Sequence, residues 1–162
     1  MTVAVDTNIL FDILLPDPNY KDSSYSLLTR YMRKDYLIIS EVVYSELASQ
    51  FNKKDLLNDF LKDTNIKLVA SSSEVLWIAA KAWKKYTEIR DKSVQCSKCG
   101  KKVICNCPDC NSIITCQQHI ISDFLIAGHA LVESDKLITR DRGFYATYFA
   151  ELNTESGFVN NK

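Results

Sequence analysis

The sequence predicts an α/β fold in which a parallel sheet of four to five strands carries helices on both faces. Three observations lead there. Short apolar, β-branched runs alternate with longer stretches of helical periodicity, the pattern of successive βαβ units. A length of 162 residues fits one domain. Hydrophobic residues are 46% and charged residues 25% of the chain, which suits a buried core under a soluble surface. Gly (4) and Pro (3) are too scarce for a collagen-like, linker-rich or disordered chain.

Taken in order, Thr2–Val5 is apolar and β-branched and reads as a buried strand ending at Asp6. Thr7–Leu15 has apolar residues at Ile9, Leu10, Ile13 and Leu14, a helical spacing stopped by Pro16 and Pro18. Tyr20–Lys34 is an amphipathic helix with Tyr25, Leu28 and Met32 near one face, and Tyr36–Ile39 is a second strand. Ser40 is suited to cap a helix running through Val43, Leu47 and Phe51. Leu56–Leu61 is a further short helix, Lys67–Ala70 a third strand and Ser73–Ile89 a helix with Leu76, Ala79, Ala80 and Trp83 along it.

Periodicity then collapses from Arg90 to about Gln118 and resumes directly afterwards, so this segment reads as an insertion. Ile120–Leu131 is apolar nearly all round, as a buried helix is. Lys136–Thr139 is a fourth strand, followed by the turn Arg140-Asp141-Arg142-Gly143, and Ala150–Asn153 a fifth, edge strand. This organises the chain as a domain over residues 1–153, interrupted by a cysteine-rich insertion at 93–118 and followed by a frayed tail at 154–162.

The 20 basic and 20 acidic residues cancel, which excludes coating of nucleic acid by bulk charge. No run of 18 apolar residues exists, and Met1–Leu15 has no basic leader and carries Asp6 and Asp12, so neither a membrane span nor a signal peptide is expected. The expected location is cytoplasmic.

Four acidic residues stand where chemistry gathers in a parallel sheet, outside the carboxyl ends of its strands. Asp6 closes one apolar strand and Asp141 lies just past another. Glu46 sits in the apolar context Val43-Tyr44-Ser45-Glu46-Leu47, and Asp123 starts the most buried helix. Each has a plain structural alternative. Asp6 and Asp123 can serve helix N-termini, Glu46 can be solvated, and Asp141 can be a turn residue or pair with Arg140 or Arg142. As one cluster, they would repel unless a cation neutralised them, and hard carboxylate oxygens suit Mg²⁺ or Mn²⁺. Such a site can activate water against a phosphodiester. No Gly-x-Ser-x-Gly or glycine-rich phosphate loop competes.

These residues carry a resemblance. Val5-Asp6-Thr7-Asn8-Ile9-Leu10 is similar to the opening motif of PIN domains. Ser45-Glu46-Leu47, Ser122-Asp123-Phe124-Leu125-Ile126-Ala127 and Leu137-Ile138-Thr139-Arg140-Asp141-Arg142-Gly143-Phe144-Tyr145 follow in the family's order, over about residues 1–150. The resemblance implies a Mg²⁺- or Mn²⁺-dependent endoribonuclease with Asp6, Glu46, Asp123 and Asp141 as its catalytic acids. Asp6, Asp123 and Asp141 would be metal ligands, oriented by Thr7, Asn8 and Thr139. Many members resemble VapC-like toxins, which implies RNA as substrate, an antitoxin partner and a homodimer. Where some members carry a further acid, this chain has Gly143 and Phe144, which puts a second metal site in doubt.

All six cysteines fall between Cys96 and Cys116. Clustering without an export signal points to metal rather than disulfides. Cys96-Ser-Lys-Cys99-Gly100 and Cys107-Pro-Asp-Cys110-Asn111 are two knuckle-like pairs, which predict a structural, zinc-ribbon-like Cys₄ zinc site at Cys96, Cys99, Cys107 and Cys110. Reduced thiols, a redox pair or an iron–sulfur cluster are the alternatives; Cys105 and Cys116 are left over. From Lys81 to Lys102 eight basic residues face two acidic ones, either a solvated face or a phosphate-tracking surface. His129 reads as a core histidine, and His119 as a residue that could touch RNA or metal. Two other functions stay open beside the toxin: an RNA-processing nuclease without antitoxin, and a catalytically silent zinc-ribbon RNA-binding protein.

Overall fold

Alternation with period two builds the core on both faces of one sheet. Along the first strand Val3 and Val5 enter one apolar cluster and Ala4 the other. Leu37 and Ile39 likewise oppose Ile38, and Ile138 opposes Leu137. Such doubly buried strands must be near-continuously apolar, as parallel strands between two helical layers are. Each fully buried Val, Leu or Ile contributes roughly 1.5–3 kcal/mol.

This computed structural model describes residues 1–89, 93–95, 99, 101–114 and 120–157. Within them the chain runs β1 (Thr2–Val5), α1 (Thr7–Leu14), α2 (Lys21–Met32), β2 (Tyr36–Ile39), α3 (Glu41–Ala48), α4 (Lys54–Asp63), β3 (Ile66–Leu68) and α5 (Ser73–Ile89). It continues with β4 (Val94–Gln95), β5 (Lys102–Val103), β6 (Cys105–Asn106), β7 (Ile113–Ile114), α6 (Ile121–Glu133), β8 (Lys136–Ile138), α7 (Arg142–Tyr148) and β9 (Thr154–Glu155). The main sheet has the order β3-β2-β1-β8-β9 and is parallel throughout. Residues of α1 to α4, joined by Ile126 of α6, pack in the cluster on one face, and those of α5, α7 and the rest of α6 on the other. Residues 93–114 add two antiparallel hairpins, β4–β5 and β6–β7.

The helices α5 and α6 approach closely at Gly128. A Cβ there would lie 3.0 Å from the Val75 carbonyl oxygen, so the position favours glycine for close packing rather than for a turn. His129 beside it is buried, with Nε2 2.9 Å from the Val69 carbonyl. It is a satisfied core histidine, as the sequence suggests.

Several boundaries differ from the sequence reading. The third strand is Ile66–Leu68 rather than Lys67–Ala70, because buried Ile66 takes the partner position opposite Leu37. Asn65 makes the preceding turn with φ 52°, a conformation asparagine tolerates. The inward face of α2 is Ser24, Leu27, Leu28 and Tyr31, leaving Tyr25 exposed. On α5, Leu76 is exposed while Val75, Ala79 and Tyr86 are buried. The helix α3 stops at Ala48, and Phe51 instead packs against Phe60 with ring centroids 5.9 Å apart.

The fifth strand is Thr154–Glu155, not Ala150–Asn153. Phe149 and Leu152 are buried in a turn after α7, which delays pairing until Leu137 N–H donates to Asn153 O and Thr139 N–H to Glu155 O, both at 2.9 Å. The expected frayed tail therefore begins in the sheet. Glu155 accepts from Lys136 Nζ at 2.7 Å, from the Tyr31 hydroxyl and from Arg30.

Burial alone would push the Glu155 carboxyl up, but hydrogen bonds from Lys136 and Tyr31 and the charges of Lys136 and Arg30 hold it below its usual range. A depressed folded-state pKa stabilises above the unfolded pKa of about 4.3 and is lost as pH falls through the folded value. Glu155→Gln is expected to cost on the order of 1 kcal/mol near pH 7, shrinking towards zero near pH 3. Denaturant melts across this range check it; a difference that persists at low pH would contradict the ionic origin.

Candidate active site

The strand order reverses direction at β1. The crossovers β1→β2→β3 go one way and β8 returns on the other side of β1, so the crevice outside the carboxyl ends of β1 and β8 is a topological switch point. Asp6 follows β1 directly, and Thr139 and Asp141 follow β8. The helix α3 follows β2 and so begins at this edge, with Glu46 in its second turn. The helix α6 leads back into β8 and therefore starts at the same edge, with Asp123 in its first turn.

All four predicted acids line one cleft of about 250 Å³, together with Thr7, Asn8, Arg140 and Tyr145. Asp6 occupies the N-cap position of α1 but makes no capping bond, so its carboxylate turns to the cleft. Oδ2 accepts from Thr139 Oγ1 at 2.6 Å, Asn8 Nδ2 at 2.7 Å and Tyr145 OH at 3.0 Å. Asn8 also bridges the seam, accepting from Arg140 N–H on Oδ1 at 3.0 Å. Thr7 donates instead to Glu46 across to α3.

The structural alternatives hold for two of the acids without removing them from the cleft. Asp123 accepts the Ile120 N–H at 2.9 Å, and Asp141 caps α7 by accepting the Phe144 N–H at 3.0 Å. Each thereby fixes one oxygen against a helix N-terminus, where negative charge is favoured. The segment Arg140–Gly143, read as a turn, is thus the start of a helix the sequence did not announce. That helix supplies Tyr145, which sequence reasoning missed; its only signal is its place four residues beyond Asp141.

Charge accumulates here. Burial pushes the Asp6 carboxyl up and the Glu46 charge adds to it, against the hydrogen bonds from Thr139, Tyr145 and the Thr7 backbone. The Tyr145 hydroxyl is pushed well above its usual value by burial, then by Asp6, with Asp123 and Asp141 contributing. One buried phenol therefore feels three of the acids. Asp6, Glu46 and Asp141 form no ion pair among the described residues. Hard oxygen donors lacking a countercharge suit a divalent cation. Among the described residues, though, no three His, Cys, Asp or Glu side chains are grouped to hold a metal as they stand.

In the insertion, Cys96, Cys116 and His119 lie outside the described residues. Cys99 and Cys110 are exposed, and Cys105 and Cys107 half-buried; all four are free thiols. The second knuckle has a formed turn: Cys107 N–H donates to Ser112 O at 2.8 Å, Asn111 N–H to Cys107 O at 2.9 Å, and Asn111 has φ 56°. Hydrogen bonds from Ser112 and Cys107 hold the Cys110 thiol below its usual value, so these two thiols are neighbours. Cys99 does not complete a group of three with them.

A doubly wound parallel sheet with an acidic cleft at its switch point is the class of protein seen here. The PIN domain family model matches residues 3–150, and the chain belongs to that family. PIN domains are nucleases. Comparison with curated proteins finds no significant match. Among solved structures, VapBC2 from Rickettsia felis bound to a promoter DNA fragment aligns with TM-score 0.60 and 20% identity, over 96% of this chain and 98% of that one. VapBC-1 from nontypeable Haemophilus influenzae aligns with TM-score 0.62 and 15% identity, over 97% and 98%. A toxin–antitoxin complex from Klebsiella pneumoniae gives 0.61 and 14%, over 96% and 98%. At such identities the likeness is one of fold. No helix among the described residues is long and apolar enough to cross a membrane.

Proposed function

We propose that the chain is a Mg²⁺- or Mn²⁺-dependent endoribonuclease, the toxin of a toxin–antitoxin pair, acting in the cytoplasm as a homodimer. The observation that carries the reading is the convergence of Asp6, Glu46, Asp123 and Asp141 on one cleft of a PIN domain. Similarity to proteins solved as toxin–antitoxin complexes supports the antitoxin partner.

Asp6, Asp123 and Asp141 would hold the cation. When bound, it would polarise the phosphodiester and make water a better nucleophile. Thr139, Asn8 and Tyr145 aim Asp6 by donating to one of its oxygens, and the bonds from Thr139 and Tyr145 oppose the upward push of burial on its carboxyl. Glu46, which accepts from Thr7, would accept a proton from attacking water.

Asp6→Asn and Asp123→Asn are expected to lower cleavage of single-stranded RNA in Mn²⁺ by ~10²-fold or more, with circular dichroism unchanged. Wild-type cleavage should vanish with EDTA. Full activity in both folded variants would refute the site.

Zinc is the second proposal: one ion per chain, held by Cys96, Cys99, Cys107 and Cys110, structural because four thiolates leave no open position. The formed Cys107–Asn111 turn supports it. Elemental analysis should find zinc, lost in Cys99→Ser with Cys110→Ser while the carboxylate site persists. Purified protein with no zinc, or with iron, would overturn the ligand assignment.

A further inference from the structure

Asp12 is a carboxylate that neither the core nor the acidic site explains. It lies on α1 with only 2% exposure. A buried charge persists only with partners, and Asp12 has two. Ser24 Oγ donates to its Oδ2 at 2.7 Å, and the Arg140 guanidinium stands 3.4 Å from its Oδ1. The guanidinium carbon of Arg140 also lies 4.4 Å from the centre of the Tyr20 ring. At its other end, Arg140 is anchored by its backbone N–H to Asn8. The side chain is thus fixed at root and tip.

Arg140 also lines the acidic cleft, and it is the one basic residue among the described residues that do so. Its side chain keeps 31% exposure. A guanidinium has five N–H donors, and the contact with Asp12 leaves others to bind a ligand. Cation–π stacking on Tyr20 fixes the plane of the fork without using those donors.

We infer that Arg140 binds a phosphate of the RNA backbone at the mouth of the cleft, with Asp12, Ser24 and Tyr20 as the frame that aims it. The inference rests on the reading of the cleft as a ribonuclease site. The chemistry follows from charge. Four carboxylates repel a polyanion, and a fixed planar cation beside them can grip a non-bridging phosphate pair while the scissile phosphate enters the acidic end. A buried anion behind Arg140 keeps the side chain pointed inward even before substrate arrives. Arg140 would touch substrate; Asp12 is a positioning residue that acts through it.

The test uses the full chain in an Asp123→Asn background, where RNA stays intact, with fluorescence anisotropy of a short single-stranded RNA over a salt series in Mg²⁺. Arg140→Ala should weaken binding by about tenfold and lower the slope of log affinity against log salt by about 0.7, one phosphate contact. Arg140→Lys should retain that slope with reduced affinity, and it guards against a folding defect in the alanine variant. Asp12→Asn should keep the slope, because the cation remains, while weakening binding several-fold. In the otherwise wild-type enzyme Arg140→Ala should raise KM more than it lowers kcat.

An Arg140→Ala protein with the parental slope and affinity would overturn the inference and leave the nuclease reading standing. Loss of melting temperature alone would do the same, since tying α1 to the β8–α7 junction changes no salt slope. If wild-type protein neither cleaves nor binds RNA, the nuclease reading falls and this assignment with it.

Discussion

A carboxylate at the seam of two parallel strands is the constraint on which the rest depends. Asp6 is only 6% exposed, and Thr139, Asn8 and Tyr145 all donate to one of its oxygens, which offsets part of the cost of burying the carboxyl. Those donors come from β8's end, from α1 and from α7, so satisfying one buried group fixes how three elements meet. The remaining oxygen is left for the cleft. The same seam carries the Asp6 N–H to Ile138 O bond at 3.0 Å and the Asn8 to Arg140 bridge, which join the two strand ends.

Charge organises what surrounds that seam. The acids come from four separate elements, and no pair is adjacent in sequence. The helix N-termini of α6 and α7 hold Asp123 and Asp141, and Thr7 holds Glu46. Among the described residues positive charge enters the cleft only through Arg140, whose guanidinium is drawn towards Asp12. Among the described residues the cleft thus sets a cluster of acids beside one fixed cation.

Much of this was legible in the sequence because it is written in short-range pattern. Buried parallel strands must be apolar, so a terminal Asp6 after Thr2–Val5 stands out, and the order of helices and strands places the other acids at one edge. What escaped needed tertiary context. Helix α7 begins in Arg-Gly and has no clean periodicity; it forms because Asp141 caps it and Phe144, Tyr145 and Phe149 enter the aromatic cluster around Phe124. The fifth strand is short and polar, and is held by Glu155 to Lys136, Tyr31 and Arg30 across more than a hundred residues of chain for two of the three. The sequence gives Asp12 no partner, since Ser24 and Arg140 meet it only after folding.

The insertion obeys different physics. Its hairpins are two residues per strand and expose Ile104, Ile113 and Ile114, so they have little core to stabilise them. The main sheet closes without it, since β8 pairs directly with β1 on one side and with β9 on the other. The central claim is that Asp6, Asp123 and Asp141 jointly take one divalent cation, with Glu46 beside it. Paramagnetic broadening of backbone amide NMR signals by substoichiometric Mn²⁺ tests it most directly. The account predicts loss of signals centred on Asp6–Asn8, Glu46, Asp123 and Arg140–Phe144, with α2 and α4 unaffected. Broadening centred elsewhere, or spread evenly over the acidic surface, would contradict it.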